Sequence, residues 1–211
     1  MSAYLTECIG TFFLALTVCL TVLNGTAAAP LAIGSSLMIM VYMGGHISGG
    51  HYNPAVTLAV WMRGKLSGSQ VIPYWIAQLT GAIIAGLVSY VIMGKSFVVA
   101  PAPTASVVQV LVAEFLFAFA LCLVVLQTAT NAKTSGNSYY GLAIGFTIVV
   151  GAYAVGGVSG GAFNPAVGTG PAIASMITGG GTMSHVWLYI VSGLLGGAAA
   201  AAVYKVQSPD A

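Results

Sequence analysis

Six apolar stretches, most of them close to the length that crosses a bilayer, restrict this chain more than any other feature. They cover residues 4–23, 31–45, 72–93, 107–127, 140–155 and 185–204. A hydrocarbon core of about 30 Å takes roughly 20 apolar residues in a helix. Lipid offers no partner to backbone N–H and C=O groups, so such stretches form helices or a closed barrel. Barrel strands alternate polar and apolar residues, and that alternation is absent here. Only 4% of the 211 residues are charged while 58% are hydrophobic, against roughly a quarter charged in soluble domains. The sequence therefore predicts an all-α, multi-pass membrane protein. The segment at 4–23 lacks a basic lead and a small-residue cleavage site, so it is expected to be a retained span.

Two further apolar runs, 55–61 and the one ending near 177, are introduced by the same words. These are Gly49-Gly50-His51-Tyr52-Asn53-Pro54-Ala55-Val56 and Gly160-Gly161-Ala162-Phe163-Asn164-Pro165-Ala166-Val167. Asn is a good N-cap and Pro suits the first helical position, where its missing N–H is harmless. Each copy reads as irregular backbone feeding a short helix. Three spans and one short segment, given twice, make a single domain of two repeats, 1–100 and 101–211. Glu7 and Glu114 hold matching places near the starts of the first and fourth spans. Gln78-Leu79-Thr80-Gly81 likewise matches Gly193-Leu194-Leu195-Gly196. An odd number of spans per repeat inverts the second copy, with a pseudo-two-fold axis in the membrane plane. With the N-terminus inside, Arg63, Lys65, Lys133 and Lys205 fall on the cytoplasmic side and Lys95 outside, as the positive-inside rule asks. Both termini are thus expected in the cytoplasm.

Irregular backbone at membrane depth survives only inside protein or beside a watery cavity. Two loops entering from opposite faces would meet near the midplane, their short helices pointing partly positive ends at one another. Asn53 and Asn164 could then offer amide N–H groups to a passing oxygen. The carbonyls of Gly49, Gly50, His51 and Tyr52, and of Gly160, Gly161, Ala162 and Phe163, would supply acceptors along the way. Such a path suits small neutral molecules and opposes cations. No basic patch exists to bind nucleic acid. Cys8, Cys19 and Cys122 are scattered through apolar segments, so packing is their expected role. His46 and His51 lack Cys or carboxylate at ligand spacing, which argues against a metal. No cofactor motif and no arrangement of nucleophile, base and oxyanion donor is present, so an enzyme is not expected.

The motifs Gly45-His46-Ile47-Ser48-Gly49-Gly50-His51-Tyr52-Asn53-Pro54-Ala55-Val56-Thr57 and Phe163-Asn164-Pro165-Ala166, on an inverted repeat, resemble the aquaporin, or major intrinsic protein, family. That resemblance implies six transmembrane helices with two re-entrant half-helices, a pore in each subunit and a homotetramer in the lipid bilayer. It also implies passive flow of water or small neutral solutes, with no cofactor. Members usually narrow the outer mouth with four residues, which by gapless counting fall here on Ile33, Ala152, Gly161 and Val167. Strict water channels carry an aromatic, a histidine, a small residue and an arginine there. This chain has none of the aromatic, imidazole or guanidinium groups at those positions. Tyr153 is the competitor for the Ala152 position if the fifth span is shifted by one. The Val in the arginine position resembles members from plant vacuolar membranes that pass water, urea, ammonia or peroxide. Gly168 stands where glycerol channels place Asp after the arginine, and Tyr189-Ile190 settles neither branch. The expectation is a water channel with added permeability to small neutral solutes, in a plasma or inner membrane. Its rivals are a solute facilitator with weak water flux and, in another class, a secondary transporter, which shares inverted repeats and broken helices.

Glu7 and Glu114 lie within spans, where a carboxylate is expensive unless paired. Bracing of each half's loop through backbone N–H groups is expected of them, in line with the resemblance, in preference to a proton relay.

Overall fold

The computed structural model describes residues 1–209. It contains eight α-helices: α1 (Ser2–Leu23), α2 (Ala29–Ser48), α3 (Pro54–Met62), α4 (Gly68–Met93), α5 (Val107–Val125), α6 (Tyr140–Ser159), α7 (Pro165–Ile177) and α8 (Val186–Gln207). A single π turn, Leu126–Thr130, extends α5. Six of the helices are long and apolar enough to cross a membrane. The chain is an integral, multi-pass membrane protein. The short helices α3 and α7 are the two half-helices, and each begins at the proline of its Asn-Pro-Ala word.

Helices α2 and α6 run further than their composition suggests, to Ser48 and Ser159 rather than to 45 and 155. The stop comes at Gly49 and Gly160, whose left-handed backbone (φ 90° and 94°) caps the helix through a bond to the carbonyl four residues back. Only glycine adopts that geometry without strain. Of the earlier glycines, Gly44 lies tightly against Tyr52 and Thr6, whereas Gly156 and Gly157 have open space where a Cβ would stand.

Helix α1 lies on α4 and α2, α5 on α8 and α6, and α2 meets α6 at the seam between repeats. The half-helices cross over: α3 packs chiefly on α8, and α7 chiefly on α4. Small residues allow this. A Cβ on Gly86 would stand 2.6 Å from Ala174 Cβ, and one on Gly197 would stand 2.5 Å from the Ala55 carbonyl. Association in lipid depends on such close van der Waals approach, because burial of apolar surface drives nothing there. The ends of α3 and α8 and the π turn after α5 share a face, as Arg63 stacks on the Tyr204 ring at 4.8 Å and Gln127 donates to Gln207 at 3.0 Å. That face is called proximal below, and the opposite one distal.

Candidate functional site

The two loops are built alike from their carboxylates outward. Glu7 Oε1 accepts from Ser48 Oγ at 2.7 Å and His51 N at 2.9 Å, and Oε2 accepts from Tyr52 N at 2.7 Å and Gln78 Nε2 at 2.8 Å. Glu114 Oε1 accepts from Ser159 Oγ at 2.7 Å and Ala162 N at 3.0 Å, while Oε2 accepts from Phe163 N at 2.6 Å. Both carboxylates are buried and every partner donates to them. Backbone N–H groups that no helix can satisfy are met in this way. The bonds also hold a strained bend. Tyr52 and Phe163 each sit at φ 48°, a region that costs a bulky residue about 1–3 kcal/mol.

The bend aims each aromatic residue's carbonyl at the other loop. Asn53 Nδ2 donates to Phe163 O and Asn164 Nδ2 to Tyr52 O, both at 2.9 Å. The side-chain oxygens face the other way and cap the half-helices. Asn53 Oδ1 accepts from Ala55 N at 2.9 Å, and Asn164 Oδ1 from Ala166 N at 2.9 Å and Val167 N at 3.4 Å. Each amide is thereby fixed in orientation and couples the two repeats.

A narrow cavity of about 20 Å³ surrounds this junction. Its lining falls into pairs related by the repeat: Leu14 with Leu121, Val18 with Val125, Ile33 with Ile144, Leu37 with Ile148, and Val56 with Val167. Gly50 with Gly161, His51 with Ala162, and Asn53 with Asn164 complete the set. The His51–Ala162 pair alone joins a polar side chain to an apolar one.

Residues 1–204 match the family described as major intrinsic protein. This chain belongs to that family. Aquaporin NIP1-1 of Zea mays is 37% identical over 210 residues, which cover 95% of this chain and 72% of the maize protein. Aquaporin TIP1-2 of Musa acuminata is 37% identical over 183 residues, 85% of this chain and 71% of the banana protein. Among solved structures, the aquaglyceroporin from Plasmodium falciparum shares the fold, with a TM-score of 0.88 at 21% identity. That match spans 99% of this chain and 97% of the other. Six spans, two half-helices and a channel rather than an enzyme family are thus established.

In this major intrinsic protein the loop carbonyls divide into two groups. Gly50, His51, Gly161 and Ala162 line the central cavity; Gly160 lines the distal vestibule and Gly49 the proximal one. Tyr52 and Phe163 are fully buried, and their carbonyls are turned to the opposite asparagines. Their rings are wall. Tyr52 Oη donates to Met40 O at 2.8 Å, and Phe163 packs on Phe117 with ring centroids 5.3 Å apart.

Ile33 and Gly161 line both the central cavity and the distal vestibule, Val167 the central cavity, and Ala152 the vestibule. Tyr153 points away, 59% exposed on the outer surface. The vestibule, about 320 Å³, has one wall that sequence reading missed, the segment 97–100 between α4 and α5. Ala102 N donates to Val158 O at 3.0 Å and pins that connection onto the end of α6. Four apolar residues in a row, Phe97 to Ala100, were the available signal.

A second omission lies behind the first loop. Gln78 Nε2 also donates to Thr57 Oγ1 at 2.9 Å, and Thr57 Oγ1 meets His51 Nδ1 at 3.1 Å. The amide of Gln78 cannot be flipped without setting its oxygen against Glu7. Gly193 holds the matching place in the second repeat, packed on Pro165. Cys8, Cys19 and Cys122 are free thiols. No cluster of three or more His, Cys, Asp or Glu occurs among the described residues.

Proposed function

We propose that this channel passes water together with small neutral solutes, urea, ammonia, hydrogen peroxide and glycerol among them. One observation carries the reading: a central asparagine pair with N–H groups to spare, below a mouth that bears no charge. Each side-chain amide has two N–H groups and uses one across the junction, leaving one for a solute oxygen. The positive ends of α3 and α7 converge there and oppose cations. Ile33, Ala152, Gly161 and Val167 form the selectivity filter in this reading, with Val167 in the arginine position, as in vacuolar-type members. Glu7 and Glu114 brace the loops.

The same reading takes the proximal face as cytoplasmic, with both termini there, in a plasma or inner membrane. Arg63, Lys65, Lys133 and Lys205 belong to it by topology. A homotetramer would cover apolar side chains such as Phe13 on α1 and Phe146 on α6, both exposed in the single chain.

Light scattering from proteoliposomes after osmotic shocks with sucrose, urea and glycerol tests the proposal. Water flux above that of empty vesicles, accompanied by urea or glycerol flux, is the expected result. Water flux equal to that of empty vesicles removes the water-channel reading. Water without either solute removes the open mouth. Val167→Arg is expected to reduce solute flux more than water flux, because it adds bulk and a fixed charge to the cavity wall. An unchanged solute profile would mean that Val167 stands off the path.

The alternative, a solute facilitator with weak water flux, gains support from the apolar character of the distal vestibule. Solute flux that outruns water flux in the same assay would favour it.

A further inference from the structure

We propose that the gap between α4 and α8 is a binding groove for the end of one lipid acyl chain, which closes the wall behind the asparagine junction. The spans form a ring in the order α4, α1, α2, α6, α5, α8, each in contact with the next. Among the described residues the ring stays open between α8 and α4. The half-helices fill that opening from inside, each touching both α4 and α8. Outside them remains a groove of about 180 Å³. Its lining again falls into pairs related by the repeat: Pro54 with Pro165, Trp75 with Ile190, and Leu79 with Leu194.

The chemistry of the floor selects hydrocarbon. A helix start ordinarily leaves N–H groups without partners, which lipid cannot satisfy. Here the first helical residue of both half-helices is proline, which has no N–H. The next N–H groups, of Ala55 and Ala166, are spent on Asn53 Oδ1 and Asn164 Oδ1. Pro54 O accepts from Trp75 Nε1 at 3.1 Å, and Thr169 Oγ1 is enclosed by protein. A polar ligand would find no partner in this groove. Its depth points to the same occupant. Pro54 and Pro165 adjoin the paired asparagines, so the groove opens at the level of the junction, within the lengths of two spans. Ile72 and Ile76 on α4 and Val191 and Leu195 on α8 are exposed beside it. At that level the bilayer presents acyl chains. A dry cavity of about 150 Å³ lined by Leu, Ile and Phe accommodates benzene, so a groove of this size takes a few methylene groups. A helix of a second copy, about 10 Å across, is too wide for it.

Trp75 reports on the groove directly, because bromine on an acyl chain quenches tryptophan fluorescence on contact. Trp61→Phe with Trp187→Phe leaves Trp75 as the single tryptophan. Adding Trp75→Phe and Ile76→Trp to that pair moves the reporter to the exposed rim. Both proteins are placed in phosphatidylcholine vesicles brominated either near the methyl ends of the chains or near the glycerol. Trp75, although only partly exposed, is expected to be quenched by the deep bromines at least as strongly as the rim reporter, and more than by the shallow ones. Leu194→Phe and Ile190→Phe each fill the groove, and each is expected to remove most of the quenching at Trp75 and none at the rim. Weaker quenching at Trp75 than at the rim, or equal quenching by the two lipids, would overturn the site. Quenching that both filling variants leave intact would overturn it as well, since the chain would then lie over the surface. No quenching of Trp75 by either lipid would place protein in the gap and exclude lipid. None of these outcomes depends on which solutes the channel passes.

Discussion

Behind the first loop, Glu7 accepts four hydrogen bonds, and Gln78, Thr57 and His51 carry the polar chain on to the cavity. Behind the second, Glu114 accepts three, and Gly193, Gly168 and Ala162 stand in the matching places. The backbones are nevertheless alike, down to φ 48° at Tyr52 and Phe163. A buried carboxylate is therefore what this loop needs to hold its shape. The extra groups of the first repeat serve another end, which is to present an imidazole to a cavity that is otherwise symmetric in character.

The largest test of that difference replaces each carboxylate by its amide. Either oxygen of Glu7 takes two donors, so Glu7→Gln turns an NH₂ group against two of them. Glu114 Oε2 takes Phe163 N alone, so Glu114→Gln confronts one. A stranded buried donor costs about 1–3 kcal/mol, and Glu7→Gln is expected to lose more stability by about that amount. Denaturation of the two variants in detergent measures it; equal losses would erase the distinction between the braces.

A smaller effect is expected at the asparagines. Asn164 caps two backbone N–H groups and Asn53 one. Loss of an N-cap costs about 0.5–2 kcal/mol, with Asn164→Ala expected at the higher end of the two. The reverse order would show that the cross-loop bonds, not the caps, dominate. Tyr52→Phe makes the first loop resemble the second by deleting the bond to Met40 O. It is expected to cost about 1 kcal/mol and to leave water flux as it was. A change in flux would mean that the Tyr52 ring does more than fill the wall.

Much of this site was legible before any coordinates. The doubled Asn-Pro-Ala words mark both half-helices because capping chemistry is local. Glu7 and Glu114 stand out because a carboxylate in an apolar span demands partners. Gln78 was visible too, as a polar residue whose repeat partner is Gly193, yet its donation to both Glu7 and Thr57 depends on how α4 is rotated against α1. The ends of α2 and α6 lie a few residues beyond 45 and 155, and Gly45 and Gly156 both lie inside helices. The choice of Ala152 over Tyr153 turned on one residue of register, which gapless counting cannot guarantee.

By itself the sequence determined six spans, two half-helices and an inverted repeat. Transfer to lipid is set by composition over about 20 residues, and helix starts by a handful of neighbours. Only the tertiary structure decided which helix faces line the cavity. In a soluble helix a polar stripe marks the side turned to water. Here lipid, neighbouring helices and cavity wall are all apolar, so Leu14 and Phe13 look alike in the chain, though one faces the path and the other the outside. The cross-loop pairing of Asn53 with Phe163 and Asn164 with Tyr52 was equally hidden, because it joins residues more than a hundred positions apart. Such contacts exist only once both repeats have closed on one another.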